Sequence, residues 1–334
     1  MNSQPARHDP SFPHAAIGRA RFLRLAFGAA ALAMTDAAGL LRAQAAAPSA
    51  SDPPAKRSTA PMLTRPIPAG GVMLPVIGLG TWQGFDVAPG SAEYRRLPGV
   101  LQALFDAGGS VIDSSPMYGR SEAVAGELLA AAGSRNEAFV ATKVWTRGRA
   151  EGIAQMEESF RLFRTDHIEL MQIHNLLDWR TQLATLREWK AAGRIRYLGI
   201  THYTAGAYPE LEAVMHAERF DFLQVNYSLD ERDAERRILP LAAERGMAVL
   251  INRPFGGGGL LRRLRDRPLP PWAAEIGATS WAQLLLKFVL SQPAVTCAIP
   301  GTSRPEHMAD NARAGTGRIP DAEFWRRHAE LFNV

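Results

Sequence analysis

The chain has 334 residues, 46% of them hydrophobic, 21% charged and 8% aromatic. That is enough apolar material to bury a sizeable core, which excludes a mainly disordered or fibrous protein. A formal net charge of +5 and a pI near 9.6 raise nucleic acid or an acidic surface as a partner, while the single cysteine, Cys297, excludes a disulfide framework and a cysteine-cluster metal site.

The charge is concentrated at the front. Residues 1–60 hold seven cations and three anions, whereas the remaining 274 residues hold 31 and 30. The body is therefore close to neutral, and nucleic acid is not an expected partner. Arg19, Arg21 and Arg24 form a basic head, residues 25–34 an apolar run, and Ala43-Gln44-Ala45 a small-residue cleavage site. This is the order of an export signal. The run is about half of the roughly 20 residues that a spanning helix needs, and Asp36 closes it, so no stable transmembrane span is expected. Arg19-Ala20-Arg21-Phe22-Leu23-Arg24 resembles a twin-arginine signal, with Ala20 where the second arginine belongs. Residues 1–45 are thus expected to engage the export machinery and deliver the protein to the periplasm. The alternatives are a cytoplasmic protein and one anchored by an uncleaved signal. Residues 46–61 lack periodicity and read as a linker.

From residue 62 to 334 the pattern predicts one barrel domain. Residues 62–67 and 72–76 flank Pro68-Ala69-Gly70-Gly71 and read as a capping hairpin. Eight apolar strand-like runs follow, at 77–81, 110–113, 138–143, 168–173, 197–201, 222–225, 248–251 and 296–299. Helical patterns separate them near 94–107, 121–132, 151–163, 180–192, 206–217, 234–245, 281–290 and 304–313. In 151–163, Ile153, Met156, Phe160 and Phe163 recur at spacings of three and four and predict one buried face. Gly193 and Gly246 are expected helix stops. Eight strand–helix pairs favour an α/β protein with the (β/α)8 TIM-barrel architecture. The competing reading is a Rossmann unit at Gly78-Leu79-Gly80, but the third glycine falls one place late and no helix follows at once. Those glycines read as a tight strand-end turn.

In such a barrel the chemistry sits at the C-terminal ends of strands. Asp113 ends the second strand and Tyr118 follows five residues later. Lys143 ends the third and His174 the fourth. Only three lysines occur after residue 60, so Lys143 stands out, whereas Lys190 and Lys287 read as helix-surface residues.

The strings D-x-x-x-x-Y-G-x-S-E from Asp113 to Glu122, Thr142-Lys143 and His174-Asn175 together resemble the catalytic tetrad of the aldo-keto reductases. The resemblance implies Tyr118 as general acid, Lys143 and Asp113 as its supporting ion pair, and His174 as the group orienting a carbonyl. Chemically, hydride addition leaves an alkoxide that needs a proton, and a phenol with a pKa near 10 gives one up slowly at neutral pH. A lysine ammonium alongside is expected to lower that pKa.

The same resemblance implies NADP(H) as cofactor, with NAD(H) as the alternative. It assigns the nicotinamide to Thr201, His202 and Gln224, and puts Asn252 where a stacking tyrosine often stands, next to Arg253 facing a phosphate. The four glycines 256–259 suit a strap over the pyrophosphate. Thr302, Ser303 and Arg304 open a helix whose N-terminus suits the adenosine phosphate, with Asn311 on the adenine. Trp82, Met117, Trp145 and Phe255 are expected to wall the substrate pocket. The expected function is reduction of a small aldehyde or ketone. The rivals are an exported nucleotide-binding barrel serving as sensor or accessory subunit, and a Rossmann-type dehydrogenase.

Overall fold

The computed structural model describes residues 61–333, so the expected export signal and all but the last residue of the expected linker lie outside the described residues. β1 (Thr64–Pro66) and β2 (Met73–Pro75) pair antiparallel. Eight strands then form one parallel sheet in strict chain order. They are β3 (Leu79–Gly80), β4 (Val111–Asp113), β5 (Phe139–Val144), β6 (Ile168–His174), β7 (Ile195–Thr201), β8 (Phe222–Asn226), β9 (Ala248–Asn252) and β10 (Cys297–Ala298). Around them run α1 (Leu97–Asp106), α2 (Ser121–Ala132), α3 (Arg149–Phe163), α4 (Trp179–Ala191) and α5 (Tyr208–Ala217). The circuit continues with α6 (Ile238–Glu244), α7 (Gly259–Leu264), α8 (Trp281–Ser291), α9 (Pro305–Arg313) and α10 (Ala322–Arg327).

The sheet closes on itself between its first and last strands. Gly78 N–H donates to Ala298 O at 2.9 Å, and Ala298 N–H to Val76 O at 2.9 Å. Closure explains the glycines at this seam: a Cβ on Gly80 would stand 2.8 Å from Ile299 O. The residue is required by the close approach of two backbones, where the sequence suggested only a turn. A closed barrel also replaces the Rossmann alternative.

Strand alternation sorts side chains into two layers. Val111, Phe139, Ala141, Leu170, Tyr197, Phe222, Ala248, Leu250, Cys297 and Ile299 fill the barrel interior, where Ile67 and Leu74 of the hairpin join them. The intervening Ile112, Val140, Val144, Met171, Ile173, Leu198, Ile200, Leu223, Val225, Val249 and Ile251 face the helices. Each large apolar side chain buried this way contributes about 1.5–3 kcal/mol. Phe139, Tyr197 and Phe222 make an aromatic floor, with ring centroids 5.4–6.1 Å apart. The alternation continues upward from this floor. Two residues beyond each inward apolar position it delivers Asp113, Lys143, Gln172, Gln224 and Asn252 to the same interior.

The helices bury the predicted stripes. In α3, Met156, Phe160 and Phe163 are buried. Gly193 and Gly246 follow α4 and α6, their N–H groups donating to Lys190 O and Ala243 O. Ser280 and Asp321 cap α8 and α10 by accepting from Gln283 N and Phe324 N. Lys287 is buried, contrary to its surface reading: its Nζ donates to Thr316 O and Arg318 O at 2.8 and 2.9 Å. That lysine ties α8 to the chain leading into α10. No helix among the described residues is long and apolar enough to cross a membrane.

Candidate active site

Asp113 is the central acceptor at the top of the barrel interior. Its Oδ2 takes a hydrogen bond from Lys143 Nζ at 2.7 Å. Its Oδ1 takes one from Gln224 Nε2 at 2.7 Å and one from Gln172 Nε2 at 3.3 Å. Lys143 is fully buried and donates a second bond to Ser114 O at 2.7 Å. Burial disfavours the Lys143 ammonium, but the Asp113 carboxylate and the Tyr118 hydroxyl outweigh it and hold the group above the usual lysine range. A buried ion pair adds little net stability, because desolvation offsets the attraction. What it supplies here is a fixed positive charge beneath the mouth of the barrel.

Tyr118 sits above that charge, with Lys143 Nζ 5.1 Å from its ring centroid. Its phenol is held above its ordinary value, chiefly by burial, with the nearby Asp113 adding to the effect. Lys143 works against this without prevailing. Lys143 thus acts in the expected direction, but desolvation wins, so the net shift is upward and the phenol stays protonated, as a proton donor must. His174 meets Tyr118 edge to face at 5.9 Å between centroids. Burial first, then Lys143 and His202, push its pKa down to about 2, so the ring is neutral. Its Nδ1 is 3.0 Å from Ser115 Oγ. The backbone turns sharply after it, with Asn175 and Leu176 at φ 53° and 55°. Leucine seldom adopts that conformation, and strain of this kind collects at functional loops. Glu122, at the end of the Tyr118 motif, accepts from the Thr142 hydroxyl on the outer side of β5; burial pushes its carboxyl up to about 7.

Asp113, Tyr118 and His174 open into a cavity of about 1040 Å³ at the strands' C-terminal ends. Trp82, Met117, Trp145 and Phe255 line it, as do Thr201, Gln224, Asn252, Arg253, Thr302 and Asn311. Trp82, Met117 and Trp145 are exposed large apolar side chains. Gln224 Oε1 accepts from Thr201 Oγ1 at 3.4 Å and Asn252 Nδ2 at 3.5 Å. Asn252 Oδ1 is buried without a partner.

Three of the expected cofactor residues stand outside the lining. His202 folds back on its own loop, its Nδ1 accepting from Tyr203 N at 3.1 Å and Thr204 N at 3.3 Å. Ser303 does not line the cavity either. Arg304 is drawn to Glu306 by a 2.7 Å bond on an exposed surface. In its place Arg262 and Arg265, on and just after α7, line the cavity with His307. Arg253 and Arg263 are paired with Glu231 and Asp230, at 2.9 and 2.7 Å. Arg262 and Arg265 have no such partner among the described residues. The glycine run shapes this wall: Gly256, Gly257 and Gly258 have φ of 57°, 63° and 85°, and a Cβ on Gly256 would meet Asp230 Oδ1 at 2.7 Å.

Sequence reasoning missed Ser115, Gln172, Tyr203, Arg262 and Arg265. Tyr203, which also lines the cavity, lies two residues past the end of β7, and Arg262-Arg263-Leu264-Arg265 is a basic cluster just past the glycines, so both carried a local signal. Gln172 was legible from alternation with His174. A smaller hollow of about 330 Å³ around Pro270, Trp272 and Leu331 contains none of the tetrad.

A family model described as the aldo/keto reductase family matches residues 76–329. The chain belongs to that family. Methylglyoxal reductase YeaE of Escherichia coli (strain K12) is 30% identical over 264 residues, covering 77% of this chain and 90% of that protein. Aryl-alcohol dehydrogenase GME11368 of Pestalotiopsis microspora is 27% identical, covering 70% of this chain and 71% of its own. Among solved structures, an aldo-keto reductase from Klebsiella pneumoniae in complex with NADPH superposes with a TM-score of 0.66 at 26% identity, covering 78% of this chain and 92% of that one. As a family member this chain is an oxidoreductase of the (β/α)8 class, and small carbonyl compounds are the substrates its family suits.

Proposed function

We propose that this aldo/keto reductase reduces a small aldehyde or ketone to the alcohol with NADP(H), using Tyr118 as general acid. The observation that carries the reading is the buried Lys143–Asp113 pair, 2.7 Å apart, beneath a half-buried Tyr118 at a cavity mouth. A binding module has no need of such a charge under a phenol.

The cavity's residues suit a nicotinamide dinucleotide. Gln224, Thr201 and Asn252 cluster amide and hydroxyl groups at one place, and the Asn252 Oδ1 without a partner is an acceptor for a carboxamide. Arg262 and Arg265, which have no carboxylate partner among the described residues, offer positive charge for phosphate. The NADPH bound in the Klebsiella pneumoniae relative supports the phosphorylated form.

When bound, the reduced nicotinamide supplies the hydride. This chain's own residues manage the oxygen and the proton. His174, neutral, donates a hydrogen bond to the carbonyl oxygen where negative charge develops. Tyr118 gives its phenolic proton to that oxygen, and the O–H bond of the alcohol forms as the tyrosine O–H bond breaks. Lys143 stabilises the resulting phenolate, and Asp113 holds Lys143 charged and in place. Trp82, Met117, Trp145 and Phe255 exclude water from the substrate and give an apolar surface for its carbon skeleton.

The test is Tyr118→Phe, which should bind NADPH with unchanged affinity yet lose turnover; binding without turnover in the unaltered protein would favour the accessory-subunit reading. The same proposal keeps residues 1–45 as an export signal, supported by the basic head, apolar run and Ala43-Gln44-Ala45 site. Its test is N-terminal sequencing of a periplasmic fraction: a start at Ala46 supports cleavage, and an intact Met1 contradicts it.

A further inference from the structure

We propose that Ser115 is a positioning residue that selects the tautomer of His174 with Nδ1 bare and Nε2 protonated. Its consequence for turnover rests on the reduction chemistry proposed above; the tautomer itself follows from the hydrogen-bond network alone. Ser115 is fully buried two residues beyond Asp113, and His174 is nearly so at the end of β6. Their side chains meet at 3.0 Å between Oγ and Nδ1.

A serine hydroxyl has one proton and two lone pairs, whereas a neutral imidazole has one donor and one acceptor nitrogen. The Met117 N–H reaches the same Oγ at 3.4 Å. A backbone N–H only donates, so it occupies a lone pair and leaves the hydroxyl proton in search of an acceptor. Among the described residues the sole remaining partner of Oγ is His174 Nδ1. If Nδ1 carried the ring proton, it and the Met117 N–H would fill both lone pairs of Oγ, and the serine's own proton would be buried without an acceptor. Buried polar groups are seldom left in that state. With Nδ1 bare, the chain Met117 N–H to Ser115 O–H to His174 Nδ1 is satisfied throughout. The ring proton then resides on Nε2, the nitrogen on the far side from Ser115.

The same residue fixes a second part of the site, because Ser115 O accepts from Tyr118 N–H at 3.0 Å. One serine thus anchors the turn that carries the phenol and sets the proton of the imidazole beside it. Tyr118, Lys143 and His202 are the charged and titratable groups facing His174; burial first, then Lys143 and His202, keep the ring neutral, the state in which tautomer choice matters.

The experiment is ¹⁵N-histidine labelling of the protein with long-range ¹H–¹⁵N correlation near neutral pH, the His174 signals being assigned by their loss in His174→Gln. The expected wild-type spectrum shows a protonated Nε2 and a bare Nδ1. Ser115→Ala should introduce the Nδ1–H form and lower kcat about tenfold at unchanged NADPH affinity. Ser115→Thr, which keeps the hydroxyl, should restore both. A wild-type His174 protonated on Nδ1 overturns the proposal without need of any variant, as does a Ser115→Ala spectrum identical to wild type. Should the protein reduce no carbonyl compound, the function proposed above fails while the nitrogen shifts still decide the tautomer.

Discussion

Gln224 Nε2 lies 2.7 Å from Asp113 Oδ1, a bond that crosses the barrel interior between residues 111 positions apart in the chain. It joins the amide cluster of Gln224, Thr201 and Asn252 to the carboxylate that holds Lys143. Replacing Gln224 by Leu removes a donor from a buried carboxylate, so stability should fall by about 1–3 kcal/mol in denaturant titrations. NADPH affinity measured by fluorescence quenching should weaken about tenfold, since the amide also lines the cavity proposed to hold the cofactor. Unchanged affinity would separate Gln224 from the cofactor.

The Lys143–Asp113 pair should behave as one unit. Lys143→Met leaves Asp113 buried without its counter-charge, and such losses cost about 3–5 kcal/mol. Adding Asp113→Asn should recover most of that stability without recovering turnover, which needs the ammonium. A double-mutant cycle on unfolding free energy, run beside kcat, makes the measurement. Simple additivity of the two stability losses would show that the pair is not coupled.

The pH profile follows from two directions. His174, depressed to about 2, does not titrate in the working range and should give no acidic limb near 6.5. Tyr118 is raised, so its proton remains available until above its ordinary value near 10. Turnover in the reductive direction should therefore hold level from about pH 6 to 9. A fall in kcat through pH 7–8 would mean that Lys143 outweighs burial at Tyr118. For stability the sign is separate. A histidine depressed in the fold stays neutral while the unfolded chain takes up a proton below about 6.5, so its contribution is present above that pH and is lost as pH falls below it.

Arg262 and Arg265 should govern recognition of the phosphorylated cofactor. Arg262→Ala with Arg265→Ala should weaken NADPH at least about tenfold and leave NADH nearly unchanged, with a shallower salt dependence for NADPH. Arg304→Ala, at a side chain already held by Glu306, should change little. Isothermal titration of both nucleotides reads the contrast. A large loss for Arg304→Ala alone would return the phosphate to the start of α9.

The barrel was legible because alternation and punctuation survive in single residues. Period two places Asp113 and Lys143 on the same side as Val111 and Phe139, and Gly193 and Gly246 mark helix ends. β3 and β10, at the closing seam, are shorter than their apolar runs: Leu79–Gly80 within 77–81 and Cys297–Ala298 within 296–299. The short helix α7 was hidden behind Gly256–Gly258, residues that disfavour helix but here turn the chain into one. The burial of Lys287 and the turn of Arg304 toward Glu306 were not legible for a shared reason: their partners, Thr316 O and Glu306, lie where no periodic signal says which way a side chain turns. Tyr118 shows the deeper limit. Its neighbours were readable from sequence, but the balance between Lys143 and burial depends on how deeply the ring is enclosed.

The most direct test is single-turnover reduction by Tyr118→Phe, with NADPH binding measured on the same preparation. The account predicts an unchanged dissociation constant and a hydride-transfer rate lower by about 10²–10⁴, the loss expected when the general acid is removed. A Tyr118→Phe variant that turns over at the wild-type rate would contradict it.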